Sequence, residues 1–196
     1  MKRLGRWFLL GYRTCIRLNS KYFSLLISGA FAQFGKKTVL MPPLRVSGES
    51  RIALGDRVFI GPGSWLQASE EKAPPGVKIT IGSGTSIVGD CVISAVQSVC
   101  LEENVLLARN VYISDHIHKY TDTSCPILEQ GVDKVKPVLI RRGAWLGQNV
   151  VICPGVTVGA GAVVGANSVV NSDIPDYCIA VGSPARVVKS IQISKA

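Results

Sequence analysis

Between residues 138 and 170 every sixth position is aliphatic: Ile140, Leu146, Ile152, Val158, Val164 and Val170. Two positions before each stands a small or β-branched residue (Val138, Ala144, Val150, Val156, Ala162, Ser168), and glycine directly follows three of the anchors (Gly147, Gly159, Gly165). A period of six matches neither a helical face nor simple strand alternation. It is the signature of stacked coils, a parallel β-helix built from hexapeptides. The pattern predicts triangular coils with one short strand per side. Each anchor points inward and the outer face is free for residues such as Arg141, Arg142 and Gln148. Glycine after the anchor is read as easing a sharp backbone turn. One coil cannot bury its own core, so stability comes from stacking. A sandwich of short strands with glycine turns is the competing reading, and the strict step of six counts against it.

The same step extends towards the N-terminus. It predicts an imperfect first coil over 39–51, interrupted by Pro42 and Pro43, and then anchors at Leu54, Ile60 and Leu66. A polar break at 70–76 containing Pro74 and Pro75 reads as a loop leaving one corner. The step resumes at Ile81, Ile87 and Ile93, slips by two residues, and continues at Leu101, Leu107 and Ile113. It stops for an insertion over 117–136, and in a solenoid such insertions gather on one face, often the binding face. The expected division is therefore a basic, apolar helical segment over 1–36, an all-β parallel β-helix over 37–188, and a short tail over 189–196.

The N-terminal segment differs in kind. Lys2, Arg3, Arg6, Arg13, Arg17 and Lys21 crowd its first 21 residues, and no acidic residue precedes Glu49. Arg13, Arg17 and Lys21 share one helical face, while Trp7, Phe8, Leu9, Tyr12, Ile16, Phe23, Leu26 and Ile27 supply apolar surface. The longest uncharged run, 22–35, falls short of the ~20 apolar residues a spanning helix needs. A signal peptide is disfavoured because its apolar run lies late. Two readings of 1–34 stand together: a helix lying on an anionic membrane surface, and a cap on the end of the β-helix.

Composition adds limits. The chain has 196 residues, a net charge of +9, 47% hydrophobic residues and 20 glycines, which suits one core of small and β-branched side chains. The charge admits nucleic acid, anionic lipid or acidic small molecules. Without a basic–aromatic ladder or zinc-finger spacing, nucleic acid is the weaker reading. Six cysteines, none in a CxxC pair, read as reduced thiols and a cytoplasmic setting.

The chain has only two histidines, His116 and His118, and both lie beside Asp115 at the root of the insertion. An imidazole, with an ordinary pKa of ~6.5, is suited to general-base work near neutrality. Two lone histidines are more often structural or superficial; their joint position makes function the better reading. Asp115 can orient an imidazole, although a carboxylate exposed beside a strand end needs no such role. Two histidines two residues apart fall short of the three protein ligands of a catalytic zinc site, so no metal is expected. No cysteine adjoins the histidines in sequence, which disfavours a cysteine nucleophile.

The hexapeptide run resembles the left-handed β-helix acyltransferases, the hexapeptide-repeat transferases. The combination SDHIHKYTD, WLGQNVVICPGVTVGAGAVVGANSVV and GSPARVV, within residues 50–190, is similar to the sugar O-acetyltransferases of polysaccharide biosynthesis and to the galactoside and maltose acetyltransferases. The resemblance implies a left-handed β-helix and a homotrimer. It implies acetyl-CoA as donor, a sugar or lipid-linked glycan as acceptor, His116 as general base, and His118 as a second histidine of the site. Backbone N–H groups near the loop would then stabilise the thioester oxyanion. It further assigns Trp145, Gln148, Ala166, Asn171, Ser172, Arg186 and Lys189 to a donor groove between subunits, although packing between coils is the better reading of Trp145. The last two lie near CoA's phosphates, and Gln148 stands where a small residue is usual. The enzyme alternatives are an N-acyltransferase of an amino sugar nucleotide and an acetyltransferase of another small acceptor. The non-enzyme alternative is a scaffolding β-helix.

Overall fold

The computed structural model describes residues 2–69 and 76–191. Among these, the strands stack into three parallel sheets of six, eight and six strands that form the sides of a prism, with one two-stranded hairpin outside it. In the eight-stranded sheet, the last strand, Ala185–Ser190, runs antiparallel to Cys178–Gly182. The registers follow the hexapeptide step: Leu107 pairs with Leu146, Ile113 with Ile152, and Leu101 with Ile140. All six anchors of 138–170 are fully buried, and the residues two before them are nearly so. Each Leu or Ile taken from water in this way is worth about 1.5–3 kcal/mol, so the column of anchors is the main stabilising feature of the prism.

The glycine after an anchor has a different cause from the one the sequence suggests. Left-handed backbone occurs three residues after the anchor, at Gly63, Gly84, Asn104, Asn110, Gly143, Asn149, Gly155, Gly161 and Asn167. The turn is made there, mostly by residue types that tolerate positive φ, although Arg57 and Asp90 adopt it at the same place. Gly147 and Gly82 instead permit close stacking: a Cβ on Gly147 would lie 2.7 Å from Ala166 N, and one on Gly82 would lie 2.5 Å from Glu102 C. At one corner the turn asparagines form a ladder, with Asn110 donating to Asn149 at 3.2 Å and Asn149 to Asn167 at 2.9 Å.

The first coil begins earlier than residue 37 or 39. Helix α1 spans Lys2–Ile27 and a 3-10 turn spans Ser28–Ala30. Gln33–Phe34 is already a strand of the first sheet, paired with Ala53 and Leu54. Val39–Leu40 and Arg45–Ser47 supply the other two sides. Pro42 and Pro43 sit at the corner between those strands, where no ladder N–H is required, so they turn the coil and do not interrupt it. At the other end, Ala185–Ser190 carries pairing two residues beyond 188. The polar break lies mostly outside the described residues, as do 192–196 of the tail.

The end of α1 caps the prism. Phe23 and Ile27 pack on the core, and Ser20 and Ser24 are buried. Ser24 Oγ accepts the Leu40 N–H at 2.8 Å and lies 2.7 Å from Ser20 O. The remainder of α1 stands clear, with Leu4 76% and Phe8 74% exposed. None of the described helices is long and apolar enough to cross a membrane.

Candidate active site

Departures from the six-residue step collect at one corner, where the chain leaves the third sheet for the first. There lie the 3-10 turn Glu49–Arg51, the segment after Trp65–Ala68, the lengthened corner after Val92–Ala95, and the excursion after Tyr112–Ser114. In the excursion, Ile117–His118 pairs antiparallel with Val132–Asp133, and Ile127–Gln130 forms a 3-10 turn between them. Lys136 N donates to Asp115 O at 2.8 Å and closes its root.

Asp115 is not the exposed carboxylate the sequence allowed. It is fully buried. The two extra residues between Ile93 and Leu101 form a concave turn whose amides converge on it. Gln97 and Ser98 donate to Oδ2 at 2.6 and 2.7 Å, and Val96 reaches Oδ1 at 2.9 Å and Oδ2 at 3.1 Å. Burial by itself would raise the pKa of this carboxyl. The hydrogen bond from His116 and the three backbone amides outweigh burial and hold it below the usual carboxylate range. Lys78, itself buried, braces the turn by donating from Nζ to Val96 O at 2.7 Å. Its pKa is lowered, first by burial and then by Arg51, while Asp115 opposes the shift.

His116 Nδ1 lies 2.8 Å from Asp115 Oδ1, and the imidazole is 14% exposed. An ionised carboxylate can only accept, so Nδ1 carries the proton and Nε2 keeps the basic lone pair. Ser114 fixes the backbone beneath, donating from Oγ to His116 O at 2.8 Å and accepting the His116 N–H at 3.3 Å. The arrangement holds an imidazole in one tautomer and one ring plane beside a buried anion, a geometry that can serve general-base chemistry.

Two cavities meet at His116. One, of about 280 Å³, lies between the third sheet and the hairpin, lined by Trp65, Gln67, Ser94, His116, His118 and Val132. Its floor is a ladder of outward residues, Trp65–Val92–Tyr112, beside the polar pair Gln67–Ser94. Arg45 lies over the Trp65 ring at 4.2 Å. The other, of about 300 Å³, is lined by Tyr112, His116, His118, Val151, Cys153 and Pro154. A cysteine thus does lie beside the histidines, brought there by the register of Tyr112 with Val151. Burial pushes the Cys153 thiol up, so it stays protonated and remains a poor nucleophile.

The fold brings Asp115, His116 and His118 together. The other seven candidates do not line these two cavities. Gln148 and Ala166 stack at the corner entering the third sheet, where Gln148 O accepts from Asn167 N at 2.8 Å. Asn171 and Ser172 leave that sheet at the corner His116 occupies, on a later coil. Trp145 is half-exposed on the eight-stranded sheet and does not pack between coils. Arg186 and Lys189 lie exposed on the terminal strand. Among the described residues, no group of three His, Cys, Asp or Glu side chains is placed to hold a metal. Sequence reasoning missed Lys78, Trp65, Gln67, Ser94 and the amides of 96–98. For the amides a signal existed, the two-residue slip.

Residues 137–172 match the family profile "Bacterial transferase hexapeptide (six repeats)". The chain is 33% identical to "Probable acetyltransferase Rv3034c" of Mycobacterium tuberculosis over 96% of its own length, and spans 59% of that relative. It is 32% identical to "Putative lipopolysaccharide biosynthesis O-acetyl transferase WbbJ" of Escherichia coli, covering 96% of this chain and 93% of the relative. Among solved structures, AntD, an N-acyltransferase from Bacillus cereus in complex with dTDP and coenzyme A, superposes with a TM-score of 0.74 at 21% identity, over 86% of this chain and 89% of that one. That likeness concerns the fold alone. A hexapeptide-repeat acetyltransferase of Vibrio cholerae complexed with acetyl-CoA superposes with a TM-score of 0.58 at 28% identity, over 89% and 79%.

Proposed function

The chain belongs to the hexapeptide-repeat acetyltransferases, and from that premise we propose that it transfers acetyl from acetyl-CoA to a sugar hydroxyl in surface polysaccharide or glycan biosynthesis. The single observation that carries this reading is the buried Asp115–His116 pair, with Nδ1 occupied and Nε2 left as the base. The working molecule in this reading is a homotrimer of left-handed β-helices whose donor groove runs between neighbours, as cyclic symmetry allows.

As the acceptor oxygen bonds to the thioester carbonyl carbon, its proton passes to His116 Nε2. Asp115 stabilises the imidazolium without taking a proton. The tetrahedral oxyanion is held by backbone N–H groups near the loop. It then collapses, the C–S bond breaks, and the departing sulfur takes the proton from Nε2. The sugar occupies the cavity of Trp65, Gln67 and Ser94, where an aromatic face and polar edge groups suit a pyranose. The thioester approaches past Tyr112, Val151 and Cys153. Gln148, Ala166, Asn171 and Ser172 line the arm of the donor along later coils, Trp145 walls it, and Arg186 with Lys189 meet its phosphates. His118, which borders both cavities, orients the acceptor.

The test is CoA release from acetyl-CoA across a panel of sugars, amino sugars and lipid-linked glycans, with His116→Ala beside the wild type. The expected result is turnover on a hydroxyl acceptor that falls about 10²–10⁴-fold in the variant while acetyl-CoA binding persists. Failure of the wild type to bind acetyl-CoA overturns the proposal. Turnover confined to amino sugars replaces it with N-transfer.

A further inference from the structure

The exposed part of α1 is amphipathic in a way the prism does not use. At ~3.6 residues per turn, Arg3, Arg6, Arg13, Arg17 and Lys21 fall in one wedge of the helix. Leu4, Trp7, Phe8, Leu18, Tyr22, Leu25 and Leu26 fall in a stripe about 100° wide that adjoins it. The prism is met by the side of the helix opposite the stripe: Ser20, Phe23, Ser24 and Ile27 make the contact, next to the basic wedge. Tyr22, Leu25 and Leu26, although beside that contact in sequence, point away and remain 63%, 71% and 65% exposed. The stripe therefore continues along the helix into the capped end, open throughout. An apolar patch of this extent on an isolated surface marks an interaction site.

We propose that α1 is an in-plane membrane anchor: its Trp–Phe–Leu stripe enters the headgroup and acyl boundary of an anionic bilayer, and its arginines and lysine bind the lipid charge. Composition selects lipid over a second copy of the helix. No acidic residue precedes Glu49, so copies packed together would bring like charges near one another with no partner. An anionic leaflet instead attracts each cation by about 1 kcal/mol. The aromatic and leucine content of one face and the basic content of the other are those of interfacial helices. The helix is not long and apolar enough to cross a bilayer, which leaves the in-plane position. On the third sheet the strand of the capped coil and the strand carrying Ser114 are three steps apart, roughly 14 Å at strand spacing. A lipid-borne acceptor standing out from the headgroups is within reach of that height.

The experiment is flotation of the full chain with vesicles of phosphatidylcholine alone and of equal parts phosphatidylcholine and phosphatidylglycerol. Binding to the anionic vesicles is expected, with at least a tenfold lower partition onto neutral ones. Leu4→Asp combined with Phe8→Asp should abolish it. Arg13→Gln combined with Arg17→Gln should lower it about thirtyfold, each with unchanged circular dichroism. These positions are remote from His116 and from the core, so folding and acetyl-CoA binding serve as internal controls. Equal binding to both vesicles, no binding to either, or apolar variants that change only the oligomeric state overturn the proposal. The last outcome assigns the stripe to a second copy of the chain.

Discussion

At the scale of single residues, the decisive question is what holds the imidazole of His116. Asp115 does so with a charge that four hydrogen-bond donors stabilise inside the protein. Asp115→Asn keeps the volume but presents an amide to converging N–H groups and loses the ionic acceptor for Nδ1. Turnover should fall about a hundredfold or more, read as kcat with acetyl-CoA affinity unchanged. The same carboxylate contributes to stability with a definite sign. Its folded pKa lies below its unfolded value. Its contribution is therefore complete above the ordinary carboxyl range, near ~3.9, and is lost as pH falls through the lower, folded value. Urea midpoints of wild type and Asp115→Asn should converge as the solution is acidified below the ordinary carboxyl range, near ~3.9. A gap undiminished there would contradict the assignment. The cavity proposed for the acceptor has its own test: Trp65→Ala should raise the KM for the sugar severalfold and leave that for acetyl-CoA unaltered.

At the scale of elements, stacking imposes the glycines. Gly82→Ala would drive a methyl into the backbone of the next coil at Glu102, and neither chain can move without breaking ladder hydrogen bonds. A loss of about 1–3 kcal/mol in chemical denaturation is expected, whereas Gly143→Asn, at a left-handed turn with nothing within 4 Å of its Cβ, should be nearly neutral. The coil period was legible because it repeats: an aliphatic every sixth residue constrains the chain at many places at once. The two histidines were legible as candidates because their place at the insertion root depends only on where the repeat stops. The burial of Asp115 was not legible. Its partners are the amides of 96–98, seventeen to nineteen residues earlier, and backbone amides leave no mark in side-chain pattern. Cys153 escaped for a related reason, since only the parallel register sets it beside His116. The early start at Gln33 was hidden because the sides of the first coil are two- and three-residue strands without the full anchor pattern.

At the scale of the whole molecule, one prism offers His116 two cavities of about 280 and 300 Å³, modest for a sugar together with the acyl end of a long donor. In the proposed trimer a neighbouring copy would supply a further wall, and this bears on which residues must share a chain. If the base of one subunit works on a donor held by the Arg186 and Lys189 of the next, two defective chains can repair each other. His116→Ala lacks the base but keeps the cations; Arg186→Ala with Lys189→Ala keeps the base but lacks them. In trimers reassembled from equal amounts of the two, a site is intact when a subunit with a sound His116 adjoins one with sound cations, in the right rotational sense. Random assembly places the required pair at about a quarter of sites. Activity near a quarter of wild type, from a mixture whose separate components are each inactive, would place base and donor cations on different subunits. Activity no greater than the sum of the components would place both in one chain, and the wall between subunits would then have to serve the acceptor.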